Sequence, residues 1–190
     1  ASEAIGEAHR QVVFLAKMVN DLSTLSRAEH GSSDEPELID TVELAHQLHS
    51  EYLPQANEKG LRLDLDMIGK PKNLFVSRLY LQELLQNFIV NAIRYTQEGS
   101  VTIRVLNKGG DVRFEVIDTG IGIGKSDLKQ IFNKFYRAED YRTRETGGTG
   151  LGLYVSSKLA RKLGCRIDIE SRLNHGSTFG FSLPAANDSD

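Results

Sequence analysis

The chain has 190 residues, 39% hydrophobic and 26% charged, the make-up of an ordinary soluble globular protein of one domain with an appendage, or of two small domains. A net charge of −3 argues against a nucleic-acid binder, which carries a basic excess. The single cysteine, Cys165, excludes an internal disulfide framework and suits a reducing cytosol. No apolar run approaches the ~20 residues that span a bilayer and no signal peptide opens the chain, so any membrane part of a parent protein is expected elsewhere.

Residues 3–30 read as one helix. Ile5, Ala8, Val12, Leu15, Val19 and Leu22 follow spacings of three and four, which makes an a/d seam. Two readings of that seam stay open: a helix lying on the protein's own core, or one member of a dimerising helical hairpin. Gly31 to Pro36 ends the helix as a polar linker. Leu38-Ile39 follows as a short edge strand. Asp40 or Thr41 should cap a helix from about Val42 to Asn57, which Pro54 should kink or end early. Leu61, Leu63, Leu65 and Met67 alternate as a half-buried strand, and Leu74-Phe75-Val76 leads to Ser77, an N-cap for the next helix.

Val101, Ile103 and Val105, then Val112, Phe114 and Val116, form a hairpin around the turn Asn107-Lys108-Gly109-Gly110. After Asp118 the chain is glycine-rich, and a helix is expected to begin near Ser126. Residues 138–149 have no apolar period and read as a mobile loop. A helix from Leu151 to Leu163 ends at Gly164, a C-cap glycine, and strands at 166–170 and 178–183 flank a turn at Asn174-His175-Gly176. The sum is a mixed sheet with helices, α+β in class or an α/β sandwich.

Four short stretches stand out in order: Asn87-Phe88-Ile89-Val90-Asn91-Ala92-Ile93-Arg94-Tyr95-Thr96, Asp118-Thr119-Gly120-Ile121-Gly122, Ile131-Phe132-Asn133-Lys134-Phe135-Tyr136-Arg137, and Gly147-Gly148-Thr149-Gly150-Leu151-Gly152-Leu153. They resemble the N, G1, F and G2 boxes of the ATP-binding catalytic domain of sensor histidine kinases, of the Bergerat fold shared with gyrase and Hsp90. The resemblance implies a mixed, mostly antiparallel sheet packed on three helices and preceded by one N-terminal helix. Val19 to Glu29 is similar to the end of the second helix of that family's dimerisation hairpin. On this basis residues 1–31 are expected to be the end of the dimerisation helix, 36–186 the catalytic domain and 187–190 a tail.

Asn87 and Asn91 lie one turn apart on one face of their helix, opposite Leu84, Leu85, Phe88, Ile89, Ala92 and Ile93. Neutral amides are poor bases but good oxygen ligands, and magnesium takes few protein ligands when it also binds phosphates. By resemblance Asn91 matches the Mg2+ ligand. Asn87 matches the catalytic position where gyrase-type ATPases carry a water-activating glutamate, and Glu83, a further turn back, does not restore that base. Arg94 is expected to reach a phosphate and Tyr95 to pack on adenine. A buried Asp118 can accept a hydrogen bond from the adenine amino group. Gly120 and Gly122 let the backbone approach the base, with Ile123 beside them.

Gly120 to Ser126 imitates a P-loop but has three residues, not four, between its first glycine and Gly-Lys-Ser. Gly148, Thr149, Gly150, Leu151 and Gly152 open a helix whose amides and dipole suit phosphate. Phe132 and Phe135 are expected to anchor an ATP lid in the core. Arg137 is the candidate for neutralising charge on the γ-phosphate, with Arg142 and Arg144 weaker candidates.

The ligands implied are ATP and Mg2+. The partners implied are a histidine-bearing dimerisation helix of the same or another protomer, a response-regulator receiver domain, and a second copy in a homodimeric parent. None of the five histidines is followed by an acidic residue, as a family acceptor usually is: His9 precedes Arg10, His30 Gly31, His46 Gln47, His49 Ser50 and His175 Gly176. The chain is therefore expected to bind ATP and not to phosphorylate itself. Two rival readings are an ATP-hydrolysing switch, against which Asn87 speaks, and a binding module without catalysis.

Overall fold

Alternation along two central strands sets the layout. The computed structural model describes residues 2–30, 35–136 and 149–186. Strand β4 (Ser100–Lys108) and strand β5 (Asp111–Asp118) form the predicted hairpin around Gly109-Gly110. Val101, Ile103 and Val105 point into the core from one, and Val112, Phe114 and Val116 from the other. Strand β2 (Arg62–Ile68) pairs parallel with β4, while β7 (Ser177–Pro184) pairs antiparallel with β5 and with β6 (Asp168–Ser171). The order of this five-stranded sheet is β2-β4-β5-β7-β6. It is mixed and mostly antiparallel, as expected. Strands β1 (Glu37–Ile39) and β3 (Leu74–Val76) pair only with each other in a separate two-stranded sheet.

Helices cover one face of the main sheet. Helix α2 (Thr41–Glu58) starts at Asp40, whose carboxylate accepts the amides of Val42 and Glu43 at 2.9 Å. Helix α3 (Arg78–Tyr95) starts at Ser77 and buries Leu81, Leu84, Leu85, Phe88, Ile89, Ala92 and Ile93. Helix α4 (Gly152–Leu163) buries Val155, Ser156, Leu159 and Ala160 and ends at Gly164, whose φ of 75° makes the expected left-handed cap. Phe88 meets Phe179 and Phe181 at ring-centroid distances of 5.3 and 6.1 Å, joining α3 to β7. The far face of the sheet carries an ion ladder, Asp66–Arg104–Glu115–Arg113–Asp168, part-exposed and of modest energetic weight.

Two expectations need correction. Pro54 does not end α2 early: the helix runs on to Glu58, with Leu48 and Ala56 buried on either side of the proline. The helix expected near Ser126 is a single 3-10 turn, Asp127–Lys129. The chain continues in further turns, with Asn133 N–H bonded to Gln130 O and Tyr136 N–H to Asn133 O, and Phe135 at φ 63° stops any right-handed helix there.

Of the two readings left open for helix α1 (Ser2–His30), the structure disfavours the first: the seam does not lie on the protein's own core. Ile5, Val12, Leu15 and Val19 are 56–70% exposed. A different face, Asp21, Thr24 and Leu25, is buried, and α1 packs on α4. Residues 31–34, most of the expected linker, and 187–190, the expected tail, lie outside the described residues, as does 137–148, which holds all but the last residue of the expected loop.

Candidate functional site

The strand alternation that buries Val112, Phe114 and Val116 continues to Asp118, so the last inward side chain of β5 is a carboxylate. Asp118 is 8% exposed, and its Oδ1 accepts the Gly120 amide at 2.8 Å. Burial pushes its pKa up to about 6, against the lowering pull of backbone N–H groups of Gly120 and Ser177. A carboxylate kept here at such a cost calls for a hydrogen-bond donor from a ligand.

The glycines that follow are needed sterically. A Cβ on Gly120 would stand 2.4 Å from Tyr95 O, and one on Gly122, at φ 65°, 2.1 Å from Arg172 O. Ile121 N–H bonds Tyr95 O at 3.1 Å and Ile123 N–H bonds Ser171 Oγ at 2.8 Å. The loop is thereby fastened to the end of α3 on one side and to the β6–β7 turn on the other.

A cleft opens between these parts. Asn91, Tyr95, Asp118, Gly122 and Ile123 line it, together with Asp127, Ile131, Leu153, Leu173 and Phe179. A second, smaller cavity shares Asn91, Tyr95, Ile131, Tyr136 and Leu153 with the first. It adds Arg94, Thr149, Gly150, Gly152 and Lys17. The two make one elongated site, with an apolar end holding a single buried acid and a polar end holding two cations and the start of α4. Lys59 steadies the junction: its ammonium donates to Ile93 O and Arg94 O, each at 2.7 Å, capping the end of α3.

The predicted residues do not all meet there. Asn91 lines both cavities. Asn87 lines neither; its Nδ2 donates to Gly152 O at 3.4 Å and Ser156 Oγ at 3.2 Å, so it ties α3 to α4. Glu83 lines neither cavity, and burial raises its pKa above the ordinary carboxylate value against the lowering pull of the Arg27 charge. Leu151 is fully buried, and its amide donates to Thr149 Oγ1 at 3.2 Å. Phe135 does not anchor in the core. It is 56% exposed at φ 63°, with its amide bonded to Gly150 O at 2.9 Å and Lys134 above its ring. Phe132 packs against the core as expected. Arg137, Arg142, Arg144 and Gly148 lie outside the described residues.

Sequence reasoning missed Lys17, Asp127, Leu173 and Ser177. Only Ser177 carried a signal: it is the inward position next to Phe179 in β7 and pairs with Asp118 across the sheet.

A family profile described as histidine kinase-, DNA gyrase B-, and HSP90-like ATPase matches residues 77–187. The chain is 34% identical over 181 residues to the aerobic respiration control sensor protein ArcB of Escherichia coli, a match over 93% of this chain and 23% of ArcB. It is 33% identical over 186 residues to the circadian input-output histidine kinase CikA of Synechococcus elongatus, over 96% of this chain and 25% of CikA. The chain thus spans about a quarter of the length of these curated relatives. Among solved structures, full-length ShkA in complex with AMPPNP aligns with a TM-score of 0.81 and 27% identity, covering 97% of this chain and 38% of ShkA. The Acinetobacter baumannii histidine kinase AdeS, at 24% identity and TM-score 0.76, shares the fold over 98% of this chain and 86% of its own.

Proposed function

This chain belongs to the family of histidine kinase-, DNA gyrase B- and HSP90-like ATPases, and on that premise we propose that it is the catalytic part of a two-component sensor kinase. It donates the γ-phosphoryl group of ATP to a histidine on a dimerisation helix, for relay to a response-regulator aspartate. Residues 36–186 are the catalytic domain, and residues 1–31 are the end of the second helix of a dimerisation hairpin. The exposed seam from Ile5 to Leu22 supports pairing with another helix in a homodimeric parent. A cytoplasmic setting suits the lone thiol, and no helix among the described residues is long and apolar enough to cross a membrane.

One observation carries the kinase reading over the hydrolase reading. Among the described residues no carboxylate lines the polar cavity. Asn87 is engaged by α4, and Glu83 lines neither cavity. Water activation needs a group that orients or deprotonates it, usually worth ~10²–10⁴-fold, and none is at hand. Adenine lies at the Asp118 end and the phosphates at the α4 end, where Arg94 and the amides at Gly150 and Gly152 offset their charge. Arg137 is the further candidate for charge on the γ-phosphate.

The described residues hold no group of three or more His, Cys, Asp or Glu that could cage a metal. They fit a magnesium ion carried in by the phosphates and touched by one amide oxygen, that of Asn91. Bound there, the ion would offset charge on the phosphates. Asn91 orients it, and Tyr95 and Leu153 keep water from the base.

The test is transfer. The chain alone should turn over ATP very slowly even when saturated. Adding a histidine-bearing dimerisation hairpin in trans should yield acid-labile, alkali-stable phosphate on that hairpin. Vigorous steady-state hydrolysis by the isolated chain, abolished by a site substitution, would overturn the reading in favour of a hydrolase.

A further inference from the structure

The polar end of the site is not closed by the catalytic domain alone. Lys17, on α1, lines the second, polar cavity with Asn91, Arg94, Gly150 and Gly152. One turn further along α1, Asp21 accepts the Thr149 hydroxyl at 2.9 Å, and both side chains are buried. The i, i+4 spacing puts Lys17 and Asp21 on one face of the helix. Because Thr149 Oγ1 also accepts the Leu151 amide, that hydroxyl fastens α1 to the start of α4. The bond between Asp21 and Thr149 therefore fixes where the Lys17 side chain leaves its helix.

Lys17 and Arg94 bring two cations to one small cavity beside a glycine-rich helix start. Burial lowers the Lys17 pKa, the Arg94 guanidinium lowers it further, and Asp21 draws it back up. Converging cations that repel each other in a part-buried space suit a multiply charged anion between them. On the proposed reading, a nucleotide polyphosphate occupies that place.

We propose that Lys17 is a phosphate-binding residue contributed by the N-terminal helix, so that a bound nucleoside triphosphate staples α1 to the catalytic domain. The proposal rests on the nucleotide reading above and goes beyond it, by making the helix outside the catalytic domain part of the ligand site. Linkage makes the effect reciprocal: whatever affinity Lys17 adds for the triphosphate, the triphosphate adds to the docking of α1. Loss of nucleotide on turnover would then release the helix.

The experiment compares the whole chain with Lys17→Met and Lys17→Arg, titrating each calorimetrically with adenosine, ADP and ATP. Lys17→Met should bind adenosine like the unaltered chain and bind ATP about tenfold more weakly, the scale of one charge-assisted contact. Lys17→Arg should restore most of that loss. Hydrogen exchange gives a second readout: ATP should protect amides around residues 17–25 in the unaltered chain and fail to do so in Lys17→Met. Unchanged ATP affinity in Lys17→Met, or equal losses for adenosine and ATP, overturns the proposal and leaves the nucleotide reading standing. An unaltered chain that binds neither adenosine nor ATP overturns the nucleotide reading, and the proposal with it.

Discussion

The two ends of the site are built differently. At the Asp118 end the parts are backbone: the Gly120 and Ser177 amides face the carboxylate, Tyr95 O takes the Ile121 amide, and Ile121 O takes the Asn174 amide at 2.7 Å. A strand end, a helix end and a turn meet there with no room for extra atoms. At the Arg94 end the parts come from three helices and the segment before α4, with the Lys17 and Arg94 side chains beside the backbone of Gly150 and Gly152, joined by bonds such as Thr149 to Asp21 and Asn87 to Ser156. On the proposed reading, a base bound at the preorganised end costs little ordering entropy. Phosphates at the other end would meet separable elements, which can be opened or closed by whatever moves one of them.

Substitutions that fill the rigid end should cause the largest damage. Gly122 has φ 65°, and a Cβ there would stand 2.1 Å from the Arg172 carbonyl oxygen, which is backbone and cannot swing away. Gly122→Ala should cost about 3 kcal/mol of stability, combining left-handed strain with displacement of the β6–β7 turn. Urea unfolding measures it. A loss under about 1 kcal/mol would show that this end yields as readily as the other.

Asp118 separates binding from stability at the same end. Its pKa stands at about 6, above the ordinary 3.8, so between those values the folded protein holds a proton that the unfolded chain releases. Stability therefore falls as pH rises through that window, by up to about 3 kcal/mol, and the whole penalty is present above pH ~6. Asp118→Asn should remove this dependence and leave the protein folded. It should also weaken ATP binding by roughly 1.5–3 kcal/mol, the scale of a charged hydrogen bond. Adenosine, which has no titrating phosphate, should bind more tightly as pH rises through ~6. Calorimetry showing unchanged affinity in Asp118→Asn would remove the residue from the adenine end.

Asn91 sits where the two ends join. Asn91→Ala should weaken magnesium-dependent ATP binding about tenfold while leaving metal-free ADP binding nearly intact. Equal losses with and without magnesium would mean that Asn91 only shapes the wall.

How far each end could be read from the chain follows the same division. At the Asp118 end the sequence marks are local, although the neighbours are not: strand alternation carries inward positions to Asp118, and the glycines after it mark a backbone crowded by Tyr95 and Arg172. The other end depends on contacts distant in sequence, as between Asp21 and Thr149. Helical spacing put Asn87 and Asn91 on one face, but it could not show that α4 would claim the first amide. Nor could it show that α1 would leave its apolar seam exposed and dock through Asp21, Thr24 and Leu25. Phe135 looked like a core aromatic, yet its amide is taken by Gly150 O and the residue turns outward at φ 63°.

The smallest effect is expected at Gly152, and it probes the contrast most finely. Unlike Gly122, Gly152 has nothing within 4 Å of a Cβ built on it, and it begins α4 in ordinary helical geometry. Alanine there should be neutral or stabilising by less than about 1 kcal/mol, since it restricts the unfolded chain and favours the helix. The amide that would face a phosphate is kept, so ATP affinity should stay within about twofold if the phosphate end has slack. A tenfold loss of ATP affinity with stability unchanged would have a different meaning. The phosphates would then press against the backbone as closely as Arg172 O presses on Gly122, and only the ligand, not the fold, would supply the crowding. Paired titrations of Gly152→Ala with adenosine and ATP decide it: a loss confined to ATP makes the phosphate end as tight as the base end once it is filled.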